Sequence, residues 1–145
     1  MIALALTSTL AFSLQAATPP PEDPDCAEPL TQTAMNICAA QDFQRADAEL
    51  NQVWREVRAL AKSADAEPHD DGQPGYWPTL LEAQRAWLAY RDAHCRLVGY
   101  NARGGSLQPL LTANCRAELT RARTQSMRAL LTNQVSGEPK TGTER

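Results

Sequence analysis

The run TQTAMNICAAQDFQRADAELNQVWREVRALA, residues 31–61, decides the fold. Its apolar positions Met35, Cys38, Ala39, Phe43, Ala46, Leu50, Val53, Val57 and Leu60 recur every three or four residues, and no Gly or Pro interrupts them. That spacing predicts one long amphipathic helix, because residues three and four apart share a helix face. Thr31, two residues after Pro29, is the expected N-cap, its hydroxyl accepting from an early backbone N–H that has no helical partner.

Downstream, SADAEPHDDGQPGYWP, residues 63–78, holds three prolines, two glycines and four acids, and reads as a loop. Thr79 and Glu82 have the S/T-x-x-E spacing of a capping box, so a second helix is expected to start at Thr79. Its stripe is Leu81, Trp87, Leu88, Cys95 and Val98; Gly99, Asn101, Gly104 and Gly105 then end it and turn the chain. A third helix is expected from Ser106 or Pro109 to Leu131, with Leu111, Cys115, Leu119, Ala122 and Leu130 inward. Alternating strand-like runs are absent. The expected fold class is all-α, a small antiparallel bundle of three long helices, with room for a short fourth before residue 31 or in the 63–78 loop.

The ends speak to compartment. Residues 1–17, MIALALTSTLAFSLQAA, are uncharged, with an apolar run leading into small residues, and read as a signal peptide cleaved after Ala16 or Ala17. Residues 18–30 form a Pro-rich acidic segment, residues 31–132 the helical domain and residues 133–145 a polar tail expected to be disordered. No cysteine follows the apolar run closely enough for lipidation, so the expected mature protein is periplasmic or secreted and carries no membrane anchor.

Cys26, Cys38, Cys95 and Cys115 all follow that segment, and four cysteines in an exported chain point to two disulfides. There is no CxxC pair, and a metal site is not expected from Cys95 with its neighbour His94 and distant Cys38. In an antiparallel bundle Cys38, Cys95 and Cys115 gather at one end. The favoured pairing is Cys26 with Cys38 and Cys95 with Cys115, each joining segments adjacent in sequence, while Cys38 with Cys95 remains open geometrically.

Charge is divided along the chain. Residues 18–71 hold 12 acids and 4 bases, and residues 72–145 hold 5 acids and 10 bases, so the two parts are −8 and +5 within a total of −3. Pairing within one domain accounts for this division, and the mild acidity with no basic block argues against a dedicated nucleic-acid binder. The arginines of the third helix, Arg116, Arg121, Arg123 and Arg128, divide between two faces and form no phosphate-tracking stripe.

Gln84 and Arg91 are seven residues apart and share the inward stripe of the second helix with Cys95. An inward arginine needs an anion. Asp47 borders the stripe of the first helix and can supply one, with Asn36 and Asn51 on the same flank and Arg85 and Asp92 close by on the second helix. These residues read as a hydrogen-bonded lattice that fixes helix register rather than as an acid–base centre. Neither His69 nor His94 has a recognisable Ser or Cys partner, so no catalytic residue, cofactor or enzymatic activity is expected.

The segments now assembled resemble the LprI-like family, known from a lysozyme-inhibiting bacterial lipoprotein and many uncharacterised exported proteins. The resemblance is carried by Cys26, by residues 31–54 with their MNxCA motif, by AQRAWxxYRDAxC at residues 83–95, by GGS at residues 104–106 and by CRAELTRAR from Cys115. Ala34 stands where the family usually has an acid, and Trp54 where it usually has Tyr. The resemblance implies a helical, disulfide-bonded exported domain that binds a partner protein, with lysozyme as the named target. An acidic domain is steered towards basic animal-type lysozymes. The loop with Asp65, Glu67, Asp70, Asp71, Tyr76 and Trp77 is the candidate partner-binding segment, its acids facing positive charge and its aromatics filling sugar subsites. The alternative is a scaffold or immunity-type protein that binds another exported toxin or envelope component.

Overall fold

A computed structural model describes residues 24–67 and 70–136 of the chain. The signal-peptide segment 1–17, most of the Pro-rich segment, His69 and residues 137–145 lie outside the described residues. Three α-helices account for most of the rest: α1, Gln32–Ala64; α2, Tyr76–Gly99; and α3, Gln108–Ser136. The described residues contain no strand. The short extra element is a 3₁₀ turn at Tyr100–Ala102, between α2 and α3 rather than at either place the sequence suggests.

The helix starts follow two different rules. Thr31 caps α1 as its sequence implies, its Oγ1 accepting from Ala34 N at 3.1 Å. The capping box at Thr79 does not form. Instead α2 starts three residues earlier, behind Gly75, and Thr79 Oγ1 donates back to the Gly75 carbonyl at 2.8 Å. Asp65 does the capping from the end of α1, accepting from Tyr76 N at 2.6 Å and Trp77 N at 2.9 Å. Its negative charge also suits the positive end of the α2 dipole. Gly75 is required for this approach: a Cβ there would lie 2.8 Å from Asp65 Oδ1. Pro78 is compatible with the first turn of α2 because its missing N–H would have no helical acceptor there.

α1 and α3 pack along most of their lengths, and α2 lies across both. The buried face of α1 is Ala39, Ala46, Leu50, Val53, Val57 and Ala61, in the three- and four-residue steps its sequence implies. Leu50, Val53 and Val57 form the main apolar cluster with Met127, backed by Trp54, Leu80, Trp87 and Leu131. On α3 the buried positions are Cys115, Ala117, Thr120, Thr124 and Met127. Of the residues the sequence turns inward, Leu111 and Leu119 are partly buried, whereas Ala122 and Leu130 face solvent. The face is rotated because two threonines can line it: Thr124 Oγ1 donates to the Thr120 carbonyl at 2.9 Å, so its hydroxyl needs no other partner. Leu88 on α2 likewise sits at the rim rather than inside.

Both disulfides gather at one end of the bundle, where α1 begins, α2 ends and α3 begins. Cys26 is bonded to Cys38 and Cys95 to Cys115, with Cα–Cα separations of 5.5 and 5.4 Å. Gly99 lets α2 end against α3, since a Cβ at that position would collide with Thr112 Oγ1. At the same end Asn36 Nδ2 donates to the Ser106 carbonyl at 3.0 Å, tying α1 to the α2–α3 connection.

Candidate functional site

Two groups of polar residues were candidates, and they prove to be different in kind. The first is the lattice around Arg91. Although only 7% exposed, Arg91 touches all three helices. Its Nη1 donates to Asp47 Oδ1 on α1 at 3.2 Å and to Thr120 Oγ1 on α3 at 3.3 Å, and its Nε donates to Asp92 Oδ1 at 3.1 Å. The guanidinium carbon is also 5.2 Å from the centre of the Phe43 ring and 5.1 Å from that of Trp87. An arginine can be buried on these terms because its Nε and Nη1 have acceptors, its charge is balanced and its flat faces meet aromatic rings.

The lattice differs in membership from the one the sequence suggests. Asn51 belongs, holding Asp47 through a 2.9 Å hydrogen bond to Oδ2. Gln84 belongs through Arg123, whose Nε donates to Gln84 Oε1 at 3.0 Å. Asn36 sits apart at the disulfide end, and Arg85 is exposed and makes none of these contacts. Thr120 is the member sequence reasoning missed; its signal is the run Ala113, Ala117, Thr120, Thr124, Met127 and Leu131, in steps of four and three. Burial lowers the pKa of Arg123 from its ordinary value. The bonds of this lattice cross-link the three helices.

The α3 arginines do divide between two faces, and each face has a task. Arg116 and Arg123 turn towards α2 and its neighbours: Arg116 Nε is 3.4 Å from Asp92 Oδ1, and Arg123 lies over Trp87. Arg121 and Arg128 reach the acids of α1, at 2.6 Å from Asp42 and 2.6 Å from Glu49. The acidic first part of the chain thus meets the basic second part inside one domain. Asp42 shows the effect: its hydrogen bonds and attraction to Arg121, with Arg45 adding to them, hold its carboxyl below the usual value of 3.8.

The second group is the acidic connection between α1 and α2. Here the six residues singled out from sequence separate by role. Asp65 is committed to capping α2. Trp77 is not in the loop but in the first turn of α2, partly buried, 5.9 Å from Trp54 and beneath the cations of Arg58 and Lys62 at 5.6 and 5.1 Å. Glu67, Asp70 and Asp71 remain exposed, and Tyr76 is partly so beside them. Asp71 Oδ1 accepts from Gln73 N at 2.9 Å, which stiffens the turn from within. Behind it runs an open groove of about 850 Å³, floored by Leu60, Ala64, Leu80 and Leu130 and edged by Glu67 and Asp71. Among the described residues, no helix is long and apolar enough to cross a membrane.

The family model described as lysozyme inhibitor LprI matches residues 25–127, which takes in all four cysteines, the Arg91 lattice and the acidic turn. The chain is also 46% identical over 111 residues to an uncharacterized protein of Rhizobium meliloti (strain 1021), a match covering 75% of this chain and 80% of the relative. No solved structure matches. An all-helical, two-disulfide bundle matched over most of its length by that family model belongs to the lysozyme inhibitor LprI family.

Proposed function

We propose that the protein is an exported binding protein that inhibits a lysozyme by steric occlusion, without catalysis or cofactor. Membership in the LprI family carries this reading. Export is supported by the two disulfides, which persist in oxidising compartments, and by the apolar N-terminal segment of the sequence. The contact is assigned to the acidic turn, where Glu67, Asp70 and Asp71 present negative charge to a basic partner and Tyr76 supplies an aromatic edge. Trp77 is left out of the contact because its ring is engaged with Trp54, Arg58 and Lys62. The turn is anchored at both ends by Asp65, so little ordering entropy is lost when a partner docks.

The test is lysis of a peptidoglycan suspension by a panel of lysozymes, with oxidised protein added in increasing amounts beside an Asp70→Ala, Asp71→Ala double variant. Saturable inhibition by the parent chain, weakened in the variant, is the expected result. Inhibition unchanged in the variant would remove the acidic turn from the contact and keep the function. No inhibition at high micromolar protein would overturn the lysozyme reading in favour of a scaffold or immunity-type protein with another exported partner.

A further inference from the structure

The outward face of α2 is apolar where a solvent-facing helix is ordinarily polar. Tyr90, Leu97 and Tyr100 are 54%, 65% and 40% exposed. Ala83, Ala86, Ala89 and Ala93 are exposed on the same side. At about 100° per residue these seven, the last just past the end of α2, fall within roughly 60° of one direction, opposite the buried Gln84, Arg91 and Cys95, and towards the start of the helix the same arc holds Thr79 and Glu82. The other long helices differ. α1 shows solvent Gln44, Arg45, Glu49, Gln52, Arg55 and Glu56 along its outer face. The apolar stretch from Ala83 to Tyr100 is about 25 Å long at 1.5 Å per residue. Its four alanines allow another helix to approach closely, and its two tyrosines and leucine supply area.

The charges at the border of the face say what that helix is. Glu82 lies near the start of α2 and Arg96 near its end, on the same flank, and neither has an ion-pair partner among the described residues. A two-fold axis passing beside Ala89 runs two copies of α2 antiparallel and sets residue i of one copy opposite residue 178 − i of the other. Glu82 then faces Arg96 of the second copy, and Arg96 faces its Glu82. The axis keeps like flanks together, so both pairs form on one side of the seam, while the two Tyr90 rings meet on the other. The antiparallel arrangement also opposes the helix dipoles favourably. We infer that the exposed face of α2 is a homodimer interface, in which two copies of this chain pair through Ala86, Ala89, Tyr90, Ala93 and Leu97 about a two-fold axis near Ala89, with reciprocal Glu82–Arg96 ion pairs.

The seam meets the acidic turn at one edge, where Glu82 and Ala83 also line the groove behind the turn, but its test is self-association and stands whether or not lysozyme is the partner. Sedimentation velocity and light scattering on the oxidised full chain test it directly. The parent chain is expected to sediment as a dimer in the micromolar range. Ala89→Arg puts a bulky charge on the axis, where symmetry counts it twice, and should raise the dissociation constant about a hundredfold or more. Helix content is unaffected, because Ala89 is exposed and Arg is a good helix former. Glu82→Arg alone and Arg96→Glu alone should each weaken the dimer about tenfold, and the two together should restore it. A chain that stays monomeric at 200 µM or above, on the order of the weakest specific dimers, overturns the proposal. A dimer indifferent to Ala89→Arg, or double reversal no better than the singles, overturns it equally.

Discussion

Asp65 ends one helix and starts the next: its backbone closes α1, and its carboxylate accepts the Tyr76 N–H at 2.6 Å at the head of α2. A side chain eleven residues upstream thus does what local sequence assigns to Thr79. Asp65→Ala should lower stability by about 1–2 kcal/mol, the usual range for a lost cap, while Thr79→Ala should cost well under 1 kcal/mol. Urea unfolding followed by circular dichroism measures both, and equal effects would reassign the cap.

Arg91 gives the second prediction. Its acids Asp47 and Asp92 are 39% and 46% exposed, so removing the arginine does not strand a fully buried charge. Arg91→Ala is therefore expected to cost about 2 kcal/mol, below the 3–5 kcal/mol of a wholly buried pair, mostly through lost packing on Phe43 and Trp87. Thr120→Val keeps the shape and removes the acceptor for one Arg91 N–H, and should cost about 1 kcal/mol. A double-mutant cycle between the two positions should give a coupling energy near that same value.

Acid sensitivity should trace to Asp42. Its carboxyl is held below the ordinary value in the folded protein by Arg121 first and Arg45 second. A depressed folded value means that the pair stabilises the fold above the unfolded value, and that this contribution is lost as pH falls through the folded one. Asp42→Asn should therefore flatten the decline in melting temperature below pH 4, with a neutral-pH loss of about 0.5–1 kcal/mol because the pair is only partly shielded. A parent and variant whose melting curves decline in parallel would count against this pair.

The disulfides should differ in consequence. Each closes a loop of comparable length, 12 and 20 residues, worth about 3 kcal/mol in chain entropy. Cys95 is wholly buried and Cys115 nearly so, whereas Cys26 is exposed. Replacing Cys95 and Cys115 by Ala therefore adds a packing defect that replacing Cys26 and Cys38 does not, and the melting temperature of the first pair of substitutions should fall further.

The length and packing of α1 are legible from sequence because its buried face is apolar throughout, from Ala39 to Ala61. The inward arginine and its Asp47 partner are legible too, since a charge on an apolar stripe demands a counter-charge. α3 is harder to read: Thr120 and Thr124 look like surface residues until their hydroxyls are paired, so a pattern of polar and apolar letters turns the helix by part of a turn. The start of α2 is harder still. Pro78 resembles the end of a loop, and the group that actually caps the helix, Asp65, is far away in sequence. For the acidic turn the charges are visible in the sequence, but the commitment of Asp65 and Trp77 to the bundle is tertiary, while Glu67, Asp70 and Asp71 stay exposed as their polarity implies.

Both cystines lie at one end of the bundle, and the acidic turn lies at the other. The molecule is therefore clamped covalently where α1 begins and closed at its far end by a carboxylate, two indoles and their cations. Amide exchange should be slowest beside the cystines and quicken towards the turn, and a partner seated on the turn would do for that end what oxidation does for the other, tightening the half of the bundle that has no covalent fastening.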